Sequence, residues 1–399
     1  MHLVAIVWIL GLGIGHTALL IFSVNWWYSF PLPSRFLSCL RLAHVALILL
    51  GWTAFTQAYF HADSLSYFFS PFAFGSGFGQ VAGRAYALVC GLIGFGYVPL
   101  LTIRRLLRGQ PAALLSNHTS TVDVASRLGY KPIGRGKYRI LAHLPGNEVF
   151  RVDFAERSLE LPGLPSAWDG LTILHLSDLH FCGTPDRAFY QQVMDQCCAW
   201  QPDLVAITGD IVDSDYHHRW IVPILGRLRW RVAAFGILGN HDARREPTLV
   251  RRRLRRVGVR VLANCWEKLT VRDEPLVIIG HEGPWFRPGP DLSTCPRGTF
   301  RLCLSHTPDN IGWARQQEVH LMLAGHNHGG QIRFPLIGSV IVPSYYGRRY
   351  DCGMFHETPT LLHVSRGLAG QEPVRYNCRP EAALLVLRCK KASDPLRIT

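Results

Sequence analysis

The chain has 399 residues, 48% of them hydrophobic and only 18% charged, so it is long enough for one large domain or two ordinary ones and has an apolar balance pointing toward a membrane. Its formal net charge of +14 calls for an acidic partner. No zinc-finger, recognition-helix or aromatic RNA-binding signature accompanies that charge, so membrane lipids or a phosphorylated substrate fit and no nucleic acid is expected. Eleven scattered cysteines without CxxC spacing, an odd number that cannot all pair, suit reduced thiols in a cytoplasm better than a disulfide framework.

In chain order, Leu3 to Val24 is free of formal charge and long enough to span a hydrocarbon core of about 30 Å as a helix. Further apolar runs follow at Leu42 to about Ala58 and at Ala85 to Ile103, the last carrying glycines and Pro99 that membrane helices tolerate. Trp26, Trp27 and Tyr28 read as interfacial anchors, and the aromatic stretch Tyr67 to Phe78 reads as interfacial rather than spanning. Residues 1–103 are therefore expected to form a multi-pass transmembrane anchor of about three helices. Arg35 and Arg41 lie between the first two runs and Arg104, Arg105 and Arg108 follow the third, whereas only Arg84 marks the second connection. The positive-inside rule then puts the remainder of the chain in the cytoplasm.

Residues 104–147 mix Pro, Gly, Ser and basic residues and read as a linker. Within it, His118 and Asp123 have the His-x4-Asp spacing of glycerolipid acyltransferases, but only about 25 residues separate the pair from the next folded domain, too few for that fold. From about Glu148 to residue 389 short apolar runs alternate with helix-length polar segments, the pattern of an α/β domain, and residues 390–399 form a tail.

The run Leu171 to Leu176 ends in Ser177-Asp178-Leu179-His180. After a helix at about Asp186 to Trp200, the strand Asp203 to Thr208 ends in Gly209-Asp210-Ile211-Val212-Asp213. A helix around Trp220 to Leu228 leads to the strand Val232 to Leu238 and to Gly239-Asn240-His241-Asp242. Later, Phe300 to Leu304 ends in Ser305-His306-Thr307-Pro308. The helix-like Asn310 to Gln317 precedes the strand Leu321 to Ala324, which delivers Gly325-His326-Asn327-His328-Gly329-Gly330-Gln331. Ser339 to Val342, Thr360 to Val364 and Ala382 to Leu387 read as further strands completing a second sheet. In open α/β sheets, ligands gather at the carboxyl ends of strands, which is where these polar clusters fall.

Asp178, His180, Asp210, Asn240, His306, His326 and His328 offer carboxylate, amide and imidazole donors, a set suited to Mn, Fe, Zn or Ni. Seven donors are too many for one tetrahedral ion and about right for two divalent metal ions sharing a carboxylate and a water. In an extended segment His326 and His328 would project to one side. The motif order DxH, GDxxD, GNHD, SHTP and GHxHGGQ resembles that of the calcineurin-like metallophosphoesterase superfamily over residues 148–389. The likeness is to the bacterial membrane-associated branch that includes UDP-2,3-diacylglucosamine diphosphatases. Val364-Ser365-Arg366-Gly367 and Arg379-Pro380-Glu381 also look like that branch.

The resemblance implies two packed mixed β-sheets flanked by helices, a four-layer sandwich, joined here to the N-terminal transmembrane region. By position it implies that Asp178, His180 and His328 hold one metal and Asn240, His306 and His326 the other, with Asp210 bridging them. It further implies that a hydroxide between the two metals attacks a phosphoester or pyrophosphate bond in line, with His241 protonating the leaving oxygen or stabilising the developing charge and Asp213 orienting its ring. A lipid-linked nucleotide substrate is one form the phosphorylated partner could take. Soluble phosphomonoesters or phosphodiesters are the alternative substrates, and a metal-free scaffold of the same fold is the alternative class.

Gly280-His281-Glu282-Gly283 departs from the branch where an acidic residue soon after the glycine is expected, and His281 and Glu282 read as ordinary loop residues in preference to residues that reshape the substrate pocket. Asn327 replaces the branch's threonine, with its side chain expected to point away from the metals. Seven arginines between Arg244 and Arg256 form a basic amphipathic segment that reads equally as a solvated face or as a surface for anionic lipid.

Overall fold

The apolar runs at the start of the chain form helices at His2–Tyr28 and Ser34–Phe60, then a third that passes from Phe78–Gly91 through a π turn at Leu92–Tyr97 into Val98–Leu106. The π turn lies just before Pro99, whose missing N–H disturbs the regular ladder. All three helices are long and apolar enough to cross a membrane. The second starts earlier than its apolar run because Arg35 and Arg41 lie within its first two turns rather than in a loop. The computed structural model describes residues 2–60 and 78–390, so the aromatic stretch expected at an interface falls outside the described residues except for Phe78, as does the tail beyond Lys390.

Contacts divide the chain into two compact units. In the helical unit, small residues let backbones meet: a Cβ on Gly15 would lie 1.8 Å from the Cys90 carbonyl oxygen. His16 lies within hydrogen-bond reach of the Tyr86 hydroxyl at 2.5 Å and the Leu47 carbonyl at 2.9 Å, joining all three helices. Pro335–Gly347 also belongs to this unit. Asn25, buried toward the end of the first helix, donates to the Val340 carbonyl at 3.2 Å and accepts from the Val342 N–H at 3.0 Å. The strand expected at Ser339 to Val342 is corrected accordingly. Only Gly338–Ser339 has strand geometry, because Val340 and Val342 commit backbone groups to Asn25.

The second unit holds two mixed sheets. The seven-stranded one runs Leu114–Asp123, Arg151–Leu161, Glu381–Cys389, Thr172–Leu176, Leu204–Thr208, Ala233–Ile237, Val259–Val261. The six-stranded one runs Gly353–Glu357, Thr360–Val364, Leu321–Ala324, Phe300–Ser305, Glu274–His281, Trp266–Val271. Strand alternation sorts the apolar residues into two cores. Ile173, Ala206, Phe235 and Ile237 pack with Ile278, Leu302, Leu304 and Leu323 in one core. Leu174, Val205, Ile207 and Ala234 turn the other way, onto Phe189, Val193 and Met194 of helix Arg187–Cys198 and Val250 and Leu254 of helix Pro247–Arg256.

The expected linker at 104–147 is corrected too: Leu114–Asp123 is a ten-residue edge strand antiparallel to Arg151–Leu161. Its mostly exposed side chains carry no apolar alternation, which is why it reads as connector. His118 faces Glu156 across that ladder, and the Asp123 carboxylate caps the Ser126 N–H, so the pair forms no dyad.

Within this unit a buried polar chain links Ser177, Thr208, His175, His363, Arg157 and Glu381. Thr208 donates to Ser177 at 2.7 Å, His175 Nε2 lies 2.9 Å from Thr208 and His175 Nδ1 lies 2.8 Å from His363. Arg157 contacts both His363 and Glu381. Burial holds His175 and His363 below the usual imidazole range, and burial lowers His281 to about 4. Because these rings are neutral in the fold while the unfolded chain takes up protons below about pH 6.5, stability is present above that pH and lost as pH falls toward the folded values. Denaturant midpoints of the purified protein are expected to fall between pH 7 and pH 5, each such histidine contributing about 1.4 kcal/mol per unit of depression. Equal midpoints across that range would refute the assignment.

Candidate metal centre

Each of the five motifs sits at the carboxyl end of a strand. Asp178 and His180 follow Thr172–Leu176, Asp210 and Asp213 follow Leu204–Thr208, and Asn240 and His241 follow Ala233–Ile237. His306 follows Phe300–Ser305, and His326 and His328 follow Leu321–Ala324. The extended geometry expected for the paired residues is not what aims them. Asp178, His180, Asp210, His326 and His328 have φ of 53°, 43°, 50°, 70° and 49°, the left-handed region that non-glycine residues rarely occupy and that costs about 1–3 kcal/mol each. Such turns swing His326 and His328 apart, to separate groups of ligands.

Ligand atoms of Asp178, His180 and His328 lie within 4.8 Å of one another, and so do those of Asp210, His306 and His326. Asn240 joins the second group, its Oδ1 3.0 Å from His306 Nε2. Asp210 stands between the groups, with Oδ2 3.6 Å from His180 Nε2 and 3.3 Å from His306 Nε2. The loop after Leu321–Ala324 meets the one after Thr172–Leu176 at Gly325, where a Cβ would lie 1.8 Å from Ser177 Oγ; the next N–H, of His326, donates to both Asp178 oxygens at 3.1 Å.

Imidazole tautomers provide the test of fit. His328 Nδ1 donates to the Ala369 carbonyl at 3.0 Å, His306 Nδ1 to the Thr208 carbonyl at 2.8 Å and His180 Nδ1 to Asp213 Oδ2 at 2.9 Å. With the proton on Nδ1, each Nε2 presents a lone pair. The Nε2 atoms of His180 and His328 face each other at 3.2 Å, and that of His306 faces the Asp210 carboxylate. Lone pairs converging in a buried pocket repel unless a proton or cation lies among them, and neighbouring nitrogens about 3 Å apart match metal–nitrogen bonds of about 2.0–2.1 Å. The donor set therefore fits divalent cations.

With protein groups alone, burial would keep His306 neutral, but Asp210 and Asp178 outweigh it and raise the ring to about 9. Burial, then His180 and Arg375, holds His328 well below its ordinary value. Burial works against ionisation of Asp210, yet His306, His241 and His180 pull it well below the carboxylate range, while burial and Asp210 raise Asp178. One deep carboxylate is thus strongly anionic and its neighbour strained, an electrostatic demand for positive charge.

Asp213 grips two rings at once, His180 through Oδ2 and His241 Nδ1 through Oδ1. Burial opposes its ionisation, but the two imidazoles pull it far below the usual range. His241 lies at the cluster's edge with its side chain 24% exposed, Nε2 4.0 Å from Asp210 Oδ2. Burial would lower this ring, yet Asp213 and Asp210 raise it to about 10, so it carries its proton at neutral pH. All nine expected residues are thus brought into one neighbourhood.

Several supporting residues carry no sequence signal. Arg375 is buried and donates to the carbonyls of His328, Arg366 and Ala369 at 3.1, 2.8 and 2.6 Å, fixing the loop that bears His328. Trp285 covers the rings of His306 and His326, with centroids 5.3 and 4.9 Å away. Glu282 is not an ordinary loop residue: it is fully buried, accepts the Leu238 N–H at 2.8 Å and binds Arg251 through both oxygens, at 3.0 and 2.7 Å. It anchors the loop leading to Asn240 and takes Arg251 out of any lipid-facing surface. Asp242 accepts the N–H groups of Ile211, Val212 and Gly239, each at 3.0 Å, and serves those turns. Asn327 donates to the Tyr350 carbonyl at 2.8 Å, away from the clustered ligands.

The calcineurin-like phosphoesterase family model matches residues 171–330. Over 250 residues the chain is 30% identical to YkuE of Bacillus subtilis, an uncharacterized metallophosphoesterase, a match covering 60% of this chain and 87% of that protein. The phosphodiesterase YaeI of Escherichia coli is 28% identical over 220 residues, covering 54% of this chain and 81% of its own. LpxG of Chlamydia muridarum, a UDP-2,3-diacylglucosamine pyrophosphatase, is 24% identical over 277 residues, covering 55% of this chain and 84% of its own.

Proposed function

The chain belongs to the calcineurin-like phosphoesterase family, and from that premise we propose a membrane-anchored hydrolase of phosphoester or pyrophosphate bonds that works with two divalent cations. The observation that carries this reading is the convergence of Nε2 lone pairs at 3.2 Å between His180 and His328, beside a second such group around Asp210 and His306. Asp178, His180 and His328 would hold one cation and Asn240, His306 and His326 the other, with Asp210 shared. Two such cations would supply Lewis acidity to the phosphate oxygens and lower the pKa of an attacking water.

The chain's own groups do the rest. Asp213 keeps the His241 proton on Nδ1 as well as orienting His180, and the charged His241 ring presents its Nε2 proton on the side of Asp210 Oδ2, 4.0 Å away at the cluster's edge, where a leaving oxygen can take it. Trp285 packs against the His306 and His326 rings and brings an apolar group to that side, strengthening electrostatic contacts there. Three membrane-length helices favour a substrate presented at a bilayer, and LpxG gives the lipid-linked pyrophosphate as a model for it. The arginines at 35, 41, 104, 105 and 108 favour the cytoplasmic side for the catalytic unit.

Full-length protein in detergent, stripped with EDTA and reloaded with Mn, is expected to bind about two equivalents and to hydrolyse bis-p-nitrophenyl phosphate only after reloading. Well under one equivalent with no hydrolysis would leave the scaffold reading standing instead.

A further inference from the structure

The segment Pro335–Gly347 contains no Asp, Glu, Lys or Arg before its closing glycine, although it departs from the catalytic part of the chain soon after the metal motif's His328. Its interior is well anchored in the helical unit. Asn25 exchanges two hydrogen bonds with the backbones of Val340 and Val342, and Ser339, Val342 and Ser344 are buried. Its outward side is apolar and open: Leu336 is 72% exposed and Ile341 61%. A cytosol-facing loop would leave these two side chains in water beside no charge of its own.

The surroundings in the helical unit name a different solvent. Asn25 is followed by Trp26, Trp27 and Tyr28, the aromatic end of the first membrane-length helix, and Trp26 is itself 41% exposed. Gly338 packs against the Arg105 guanidinium, near the end of the third helix, where a Cβ would lie 2.4 Å from Cζ. Aromatic rings and arginines at helix ends mark the level of the head groups, and an apolar loop clamped at that level meets acyl chains.

We propose that residues 335–347 form a loop inserted into the bilayer interface through Leu336 and Ile341, which tethers the metal motif to the membrane surface so that it takes substrates embedded there. The partner is the phospholipid bilayer itself, and the proposal rests on the phosphoesterase reading above only for its consequence, not for the insertion. Seven residues of chain from His328 to Pro335 span at most about 24 Å, so His328 cannot stray farther than that from the inserted loop.

Two measurements on the full-length protein in nanodiscs test it. A phosphatidylcholine carrying a diazirine in its acyl chain should label residues 335–347 on illumination, read by peptide mass spectrometry. Labelling of the three helices without any in 335–347 would overturn the insertion. In addition, the double variant Leu336→Glu, Ile341→Glu should hydrolyse a hexadecyl p-nitrophenyl phosphate diester held in the nanodisc about tenfold more slowly than wild type, while its rate on soluble bis-p-nitrophenyl phosphate stays within about twofold. Equal rates on the embedded diester would overturn the coupling. No hydrolysis of either ester by wild type would instead fail the phosphoesterase reading, and the photolabelling would still decide the loop.

Discussion

Asp210→Asn is expected to lower turnover by on the order of a thousandfold and to reduce bound metal, because under the proposed function its carboxylate would be shared by two cations and would supply part of the several kcal/mol they contribute to the transition state. Asparagine keeps the shape and the oxygen that accepts the His241 N–H at 2.8 Å, so the fold has no reason to change. The amide group would instead take the place of Oδ2, which faces the Nε2 atoms of His180 and His306 at 3.6 and 3.3 Å. Its N–H groups would donate to those lone pairs and occupy the directions along which a cation is bound. Metal content and rate, measured on the same sample, check this together, and an Asp210→Asn enzyme with full metal and full activity would remove the bridging role.

His241→Ala separates acid catalysis from metal binding. Turnover on alkyl phosphodiesters is expected to fall by about 10²–10⁴-fold with metal content unchanged, since the ring only touches the cluster's edge. The leaving group supplies a finer test. A nitrophenolate departs with little help from a proton, so the same variant should lose much less on bis-p-nitrophenyl phosphate. An equal loss on both esters would argue that His241 holds geometry rather than delivering a proton. Asp213 cannot be used for this separation, because its two oxygens serve His180 and His241 at once.

The motifs were legible because each is a polar cluster at the end of an apolar run, and Leu204–Thr208, buried throughout, is a nearly unbroken aliphatic one. Their conformations were not legible. Alternation predicts that His326 and His328 share a face, yet a left-handed turn at each sends them to different groups of ligands. Nor does any local pattern announce Arg375 or Glu282, whose partners are a carbonyl 47 residues away and an N–H 44 residues away. The edge strand Leu114–Asp123 was hidden for a further reason: an edge needs no apolar face when most of its side chains are exposed. Secondary structure buried on one side writes a period into the sequence; structure held by long-range polar contacts does not.

The assignment of Pro335–Gly347 to the helical unit makes that unit discontinuous in sequence. A truncated protein beginning at residue 110 would therefore still carry thirteen residues of it. Those residues would have lost both bonds to Asn25, with Leu336 and Ile341 opened to solvent close in sequence to His326 and His328. Cutting the chain where the helices end does not excise the anchor but leaves an adhesive remnant of it, so the hydrolase is best handled as an intact membrane protein.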